Sequence, residues 1–163
     1  MASSIYVLVE RCLGVGAVLL SIKPKFAEEI LSGAKRFELR AGSGIPPGAR
    51  VILYASSPVK AIVGEFTAGR VFVGSYEYVV RAVDSVPGSG VGEEDYGYIR
   101  GRRRRAMAIE VVNPVKYCKP IPLRELRRAG LRGPPRSYQF LRPENPVHAA
   151  ILGLVDKARE REA

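Results

Sequence analysis

A chain of 163 residues is long enough for one domain with its own core and short for two. Apolar residues make up 47% and charged residues 26%, an ordinary globular balance, but the formal net charge of +10, mostly arginine, is high and favours polyanionic partners. Two cysteines and the single His148 are too few for a zinc site, and the uncharged run 12–22 is too short to cross a bilayer.

Residues 1–17 read as an arm or an extra strand ahead of the main domain. Glu10 before the apolar run argues against a secretion signal. Residues 19–22 suit a buried strand. Pro24 then opens a helix, since its missing N–H costs nothing in the first turn. Phe26, Ile30 and Leu31 share one face of that helix, and Gly33 closes it. In the strand that follows, Phe37 and Leu39 point one way, and Arg36, Glu38 and Arg40 the other, with Lys35 at the hinge.

Further along, Ile45-Pro46-Pro47-Gly48 is a turn and 50–55 a strand with Val51, Leu53 and Ala55 on one face. Residues 61–72 form a long β segment in which Gly64 and Gly69 mark bulges. Ser75 caps a helix to about residue 83, with Tyr76, Val79, Val80 and Val83 inward. A loop at 87–90 precedes one or two helical turns over 93–99. Residues 106–112 and 115–118 read as strands and 123–129 as a short helix. Asn145-Pro146 starts the last helix, with Val147, Ile151, Leu152 and Val155 toward the core. His148 on that helix is expected to cap or pack.

Strands outnumber helices and do not alternate strictly with them, which argues against a doubly wound parallel sheet. The expected class is α+β: a small, mostly antiparallel β-barrel decorated by helices. It divides into the arm at 1–17, the barrel domain at 18–142, and a C-terminal helix at 143–163 packed on the same domain. Two free thiols suit a reducing cytosol, so a cytoplasmic protein is expected. The arginine-rich, amide-poor composition is thermophile-like, and a GC-rich coding bias would produce it equally.

The run Gly33-Ala34-Lys35-Arg36-Phe37-Glu38-Leu39-Arg40 matches the G-x-K-x-x-E-x-R signature of ASCH domains, a branch of the PUA-like β-barrels. Leu20-Ser21-Ile22-Lys23-Pro24 precedes it as in that family. Tyr54-Ala55-Ser56-Ser57-Pro58, followed by Ile62-Val63-Gly64-Glu65-Phe66, resembles the second block of an archaeal subgroup described as transcriptional regulators. Pro134-Pro135-Arg136-Ser137-Tyr138 resembles its third. The resemblance spans roughly 18–142. It implies a PUA-like barrel with a cleft beside the first helix, and roles in RNA metabolism, translation or transcription.

Three groups of residues carry the chemistry. Lys23, Lys35, Glu38 and Arg40 form a charged set: the cations can meet phosphates or base edges, and Glu38 can accept from an exocyclic amine. The same residues can equally form an internal salt-bridge network, because Glu38 and Arg40 are same-face neighbours. Ser56, Ser57 and Lys60 form a Ser-Pro turn able to receive an anion, and an ordinary turn is the alternative. Arg102, Arg103, Arg104 and Arg105 make a dense basic run, with Tyr96 and Tyr98 nearby to stack on bases; a solvated charged loop is the plain alternative. Arg124, Arg127, Arg128, Arg132 and Arg136 form a second basic stretch, with Arg136, Ser137 and Tyr138 expected to close over the cleft.

RNA is the first expected partner, DNA the second, and a protein complex a third, with no membrane partner. No cofactor or metal is expected. No P-loop or nucleophile elbow is present. The competing function is a small nucleoside amidohydrolase or ribonuclease. The amidohydrolase pattern in ASCH-like proteins has a signature lysine, a threonine three residues later and a glutamate on a later strand. Lys35 matches the lysine, Glu38 stands where the threonine would be, and Glu65 is the candidate later acid.

Overall fold

Parity along the strands organises the molecule. In a computed structural model, which describes residues 16–101 and 105–162, the chain forms β1 (Ala17–Ile22), α1 (Pro24–Leu31), β2 (Phe37–Ala41), β3 (Arg50–Ala55), β4 (Ala61–Gly74), α2 (Tyr76–Asp84), α3 (Glu93–Gly97), β5 (Ala106–Pro122), α4 (Leu123–Arg128), β6 (Tyr138–Leu141) and α5 (Pro146–Glu160). Most of the arm expected at 1–17, and Arg102, Arg103 and Arg104, lie outside the described residues.

The six strands make one sheet in the order β2-β5-β4-β3-β1-β6, curled into a half-barrel of the α+β class. All neighbours are antiparallel except β1 and β3. The curl comes from the two long strands, whose ladder shifts register three times, near Gly64, Phe66 and Gly69. A Cβ on Gly64 would lie 2.4 Å from the Val115 carbonyl oxygen and 2.8 Å from a Leu31 methyl. Only glycine lets β4 pass so close to both β5 and α1.

Two expectations need correction here. Residues 106–112 and 115–118 are one strand, because Asn113 adopts a left-handed φ of 49° that lets the ladder with β4 run on past Pro114. β6 was not expected at all. Its four residues lack a clean apolar alternation, and β1 recruits them as an antiparallel partner.

Helices cover both faces of the sheet. On one, Val18 and Leu20 of β1 and Val51 and Leu53 of β3 pack against Phe26 and Ile30 of α1. On the other, Leu19, Ile52 and Tyr54 meet Leu126 of α4 and Ile151 and Val155 of α5. Ile151 and Val155 are fully buried, and each such side chain contributes about 1.5–3 kcal/mol by leaving water. A third cluster sets Phe37 and Leu39 of β2 against Val79 and Val83 of α2 and Ile99. The Ser75 side chain accepts from the Tyr78 N–H, and the Asn145 side chain from the Val147 and His148 N–H groups, so α2 and α5 start at their caps. His148 packs at the start of α5, accepting from the Arg142 N–H at 3.0 Å.

Glu65 staples α5 to the sheet. Its carboxylate, 3% exposed, accepts from Arg50 at 2.7 and 2.8 Å and from the Tyr117 hydroxyl at 2.5 Å. Arg50 also reaches Asp156 of α5 at 2.7 Å, and Arg159 lies 3.4 Å from Glu65. Burial alone would raise the Glu65 carboxyl. The hydrogen bonds from Arg50 and Tyr117 and the charges of Arg50 and Arg159 outweigh it and hold the group below the ordinary carboxylate range. Burial, then the contact with Glu65, pushes the Tyr117 hydroxyl up.

Because the folded value of Glu65 is depressed, its stabilising contribution is present above the unfolded value of about 4.3 and is lost as pH falls through the folded one. Urea denaturation between about pH 6 and pH 2 is expected to show stability falling with acid. Glu65→Gln should be less stable at neutral pH and show a shallower acid limb.

Candidate functional site

The turn that closes α1 sets the floor of a cleft of about 510 Å³. Gly33 takes a φ of +87°, the Lys35 N–H donates to the Glu29 carbonyl at 2.9 Å, and the chain then turns into β2. On the outer side, the Arg36 N–H donates to the Ser89 carbonyl at 2.8 Å, which zips the 89–92 segment against this turn. Gly90, at φ +72°, is required for that contact: a Cβ there would sit 1.9 Å from the Ala34 carbonyl oxygen. The zip delivers α3 and Asp95 to Lys35.

Lys35 is 3% exposed. Its Nζ lies 2.8 Å from Asp95 Oδ1, 3.5 Å from Glu38 Oε2 and 4.4 Å from the centroid of the Phe26 ring. Asp95 is steadied by the Gly92 N–H, which donates to Oδ2 at 3.0 Å. The ammonium neutralises the two carboxylates by forming an ion pair with each. Glu38 Oε2 and Asp95 Oδ1 are buried and ion-paired with Lys35, and neither receives a hydrogen bond among the described residues.

Arg40 fixes the back of the cleft. Its Nε donates to Glu38 Oε1 at 3.2 Å, Nη1 to the Ser137 hydroxyl at 3.4 Å and Nη2 to the Ser21 carbonyl. The Ser21 hydroxyl in turn donates to the Pro135 carbonyl at 2.6 Å, and the Ser21 N–H to the Ser137 carbonyl at 2.9 Å. Behind this wall the Tyr138 hydroxyl abuts the loop after β2, where a Cβ on Gly44 would be 2.9 Å away.

The rim is open. Lys23 donates to the Tyr98 hydroxyl at 2.7 Å, and the Tyr98 ring, 42% exposed, stands edge-on to Phe26 at 5.6 Å. Ser56 lines the cleft at the end of β3, where its N–H bonds the Ile22 carbonyl at 2.9 Å, and Arg136 and Ser137 face it. Four cations (Lys23, Lys35, Arg40, Arg136) and two carboxylates (Glu38, Asp95) line the cleft. The carboxylates lie at the floor, with Lys23 and Arg136 exposed at the rim.

Of the residues expected from sequence, the structure thus brings Lys23, Lys35, Glu38, Arg40, Ser56, Arg136 and Ser137 together. Arg36 points outside, exposed, near Glu110. Ser57 and Lys60 sit exposed on the turn beyond Ser56, and Arg105 is exposed ahead of β5. Tyr138 stands behind the wall rather than on it. Glu65 belongs to the staple under α5 and does not line the cleft, so the set Lys35, Glu38 and Glu65 is not assembled.

The stacking expected of Tyr96 is also corrected. Tyr96 is 5% exposed and donates to Asp84 at 2.5 Å; burial first, then Asp84, raises its hydroxyl. Asp95 was missed. Its one sequence signal is the acidic run Glu93-Glu94-Asp95 in a strongly basic chain. Among the described residues no group of three or more His, Cys, Asp or Glu is placed to hold a metal, and no helix is long and apolar enough to cross a membrane.

The fold is shared with solved structures. An ASCH protein from Zymomonas mobilis superposes with a TM-score of 0.70 at 27% identity, over 86% of this chain and 96% of that one. A single-residue variant of the same protein gives 0.69 at 26%, over 85% and 97%. The N-terminal domain of Staphylothermus marinus McrB shares the fold at a TM-score of 0.51 and 15% identity, over 82% of this chain and 93% of that one. No protein-family model and no curated protein matches the chain. The fold is of the ASCH and PUA-like class. The structural likeness supports placing the chain in the ASCH/PUA-like superfamily.

Removing Lys35 would leave two buried carboxylates facing each other. Lys35→Ala is expected to cost about 3–5 kcal/mol in urea denaturation. Adding Glu38→Gln and Asp95→Asn should recover a large part of that loss. Gly90→Ala should lower the thermal midpoint through the clash with Ala34, an effect of about 1–3 kcal/mol.

Proposed function

We propose that the chain is a nucleic-acid-binding module that takes an unpaired RNA base into the cleft. One observation carries the reading: exposed cations at the rim stand above buried carboxylate oxygens that receive no hydrogen bond. A simple anion would meet Glu38 and Asp95 and be repelled. An apolar ligand would bring no donor to these ion-paired oxygens. A nucleotide has both halves of the complement. Its phosphate suits Lys23 and Arg136, and the N–H groups of its base suit the floor.

Tyr98 supplies an exposed aromatic surface at the mouth, and RNA recognition commonly stacks splayed bases on such rings. Arg40 acts as a positioning residue that orients Glu38 and Ser137. DNA is the second ligand of the same chemistry. The resemblance to an archaeal regulator subgroup supports a cytoplasmic, regulatory role in RNA metabolism, translation or transcription.

Lys35 is a poor first probe because its loss unbalances the floor. Exposed Arg136 and Lys23 are better ones. Fluorescence anisotropy with single-stranded RNA, structured RNA, single-stranded DNA and duplex DNA across a salt series is expected to favour unpaired RNA. Arg136→Gln or Lys23→Gln should weaken it and reduce the salt slope by about 0.7 per lost phosphate contact. Glu38→Gln should alter the preference among bases. Binding that ignores nucleic-acid type, disappears at moderate salt and is unmoved by all three variants would overturn the reading.

A further inference from the structure

Several arginines elsewhere on the surface are matched with acids. Arg50 pairs with Glu65 and Asp156, Arg70 with Glu110, Arg100 with Glu93 and Arg159 with Glu65. The segment from α4 to the residue after β6 concentrates arginines with little acid. Residues 123–142 hold six arginines and a single acid, Glu125. Arg124, Arg128, Arg132 and Arg142 are exposed, and none makes a side-chain hydrogen bond or ion pair among the described residues. Clustered cations repel one another, so the cluster opposes folding unless an anion lies across it.

The segment is also fixed in place. Leu126 and Leu131 are buried against the α5 side of the core, and the Leu131 N–H donates to the Leu126 carbonyl at 3.0 Å. Gly130, at φ +112°, leaves room for Val147, which a Cβ would approach to 2.8 Å. Arginines on a rigid backbone lose less entropy on binding than arginines on a loose loop. One end of the segment forms part of the cleft wall, and the other bonds the turn that follows Ser56. At the start, the Leu123 N–H donates to the Lys60 carbonyl, on the turn that begins with Ser56. At the other end, Pro135 and Ser137 bond Ser21, and Arg136 lines the cleft.

We infer that this segment is a phosphate-binding track, along which the backbone of a single strand runs after one of its bases has entered the cleft. The inference rests on the nucleotide reading of the cleft and extends it from one nucleotide to several. In chain order Arg132 lies between Arg136, which lines the cleft, and α4, where exposed Arg124 and Arg128 are four residues apart and so share a helix face. Contacts of this kind are made to phosphate and carry no sequence preference of their own. Preference would reside in the cleft, and affinity for longer strands on the track.

The test compares two RNA ligands on the whole chain: a dinucleotide followed by NMR shifts of cleft residues, and a single strand of about ten nucleotides followed by anisotropy. The wild type should bind the longer strand far more tightly and with a steeper salt dependence. Arg124→Gln with Arg128→Gln, and separately Arg132→Gln, should each weaken the longer strand by about tenfold at low salt and reduce its slope by about 0.7 per contact. They should leave the dinucleotide shifts unchanged. Equal affinity and slope for the two ligands, or a longer strand indifferent to these variants, would overturn the track and leave the cleft reading standing. No dinucleotide shift in the cleft, together with loss of the longer strand in the track variants, would overturn the cleft reading and keep the arginines as a phosphate surface. Vesicles rich in anionic lipid that bind through the same arginines, with the longer strand unaffected, would assign the segment to a membrane surface and overturn it as an RNA track.

Discussion

The guanidinium of Arg40 touches both free margins of the half-barrel. It springs from β2, one edge of the sheet, and reaches the Ser21 carbonyl on β1 and the Ser137 hydroxyl beside β6, the other edge. No ladder joins β2 to β6, so this side chain, with the Tyr138 hydroxyl packed on the glycine loop after β2, spans the gap that backbone pairing leaves open. Arginine suits the task because its planar fork directs several donors at once from one rigid group. Glu38 sits beside it as a counter-charge, which explains why the cleft contains acids although its rim is basic.

Charge is sorted by depth. At the floor, Lys35 is shared by two carboxylates and the face of Phe26, an arrangement that avoids an uncompensated buried ion while two carboxylate oxygens are held by charge without a hydrogen bond. Under α5, the Glu65 group is the opposite case: its oxygens are supplied by Arg50 and Tyr117, and it is fully occupied with holding elements together. Glu38 and Glu65 therefore differ in what they can offer a ligand, although both look like catalytic candidates in sequence.

Features set by neighbours in the chain were legible without coordinates. The alternation at Phe37-Glu38-Leu39-Arg40 does place apolar groups on one side and charges on the other, and the caps at Ser75 and Asn145 start their helices. Contacts between distant segments were not. Nothing local ties Asp95 to Lys35; the link depends on Gly90 letting one loop lie on another. Tyr96 and Tyr98 look equivalent in sequence. On a helical turn, residues two apart point about 200° from each other, so one faces the core and the other the cleft. β5 looked like two strands because Asn113-Pro114 reads as a break, and β6 was invisible because its pairing belongs to β1 rather than to its own composition.

The strand order has a consequence for synthesis. β2 has its sole ladder partner in β5, which starts at Ala106, and β1 gains its outer neighbour only when β6 is made. As the chain leaves the ribosome, its first third must wait, with strand margins uncovered, for segments translated much later. The half-barrel therefore closes only after residue 141 has emerged, and until then the nascent chain depends on its high charge, and on any bound chaperone, to stay out of aggregates.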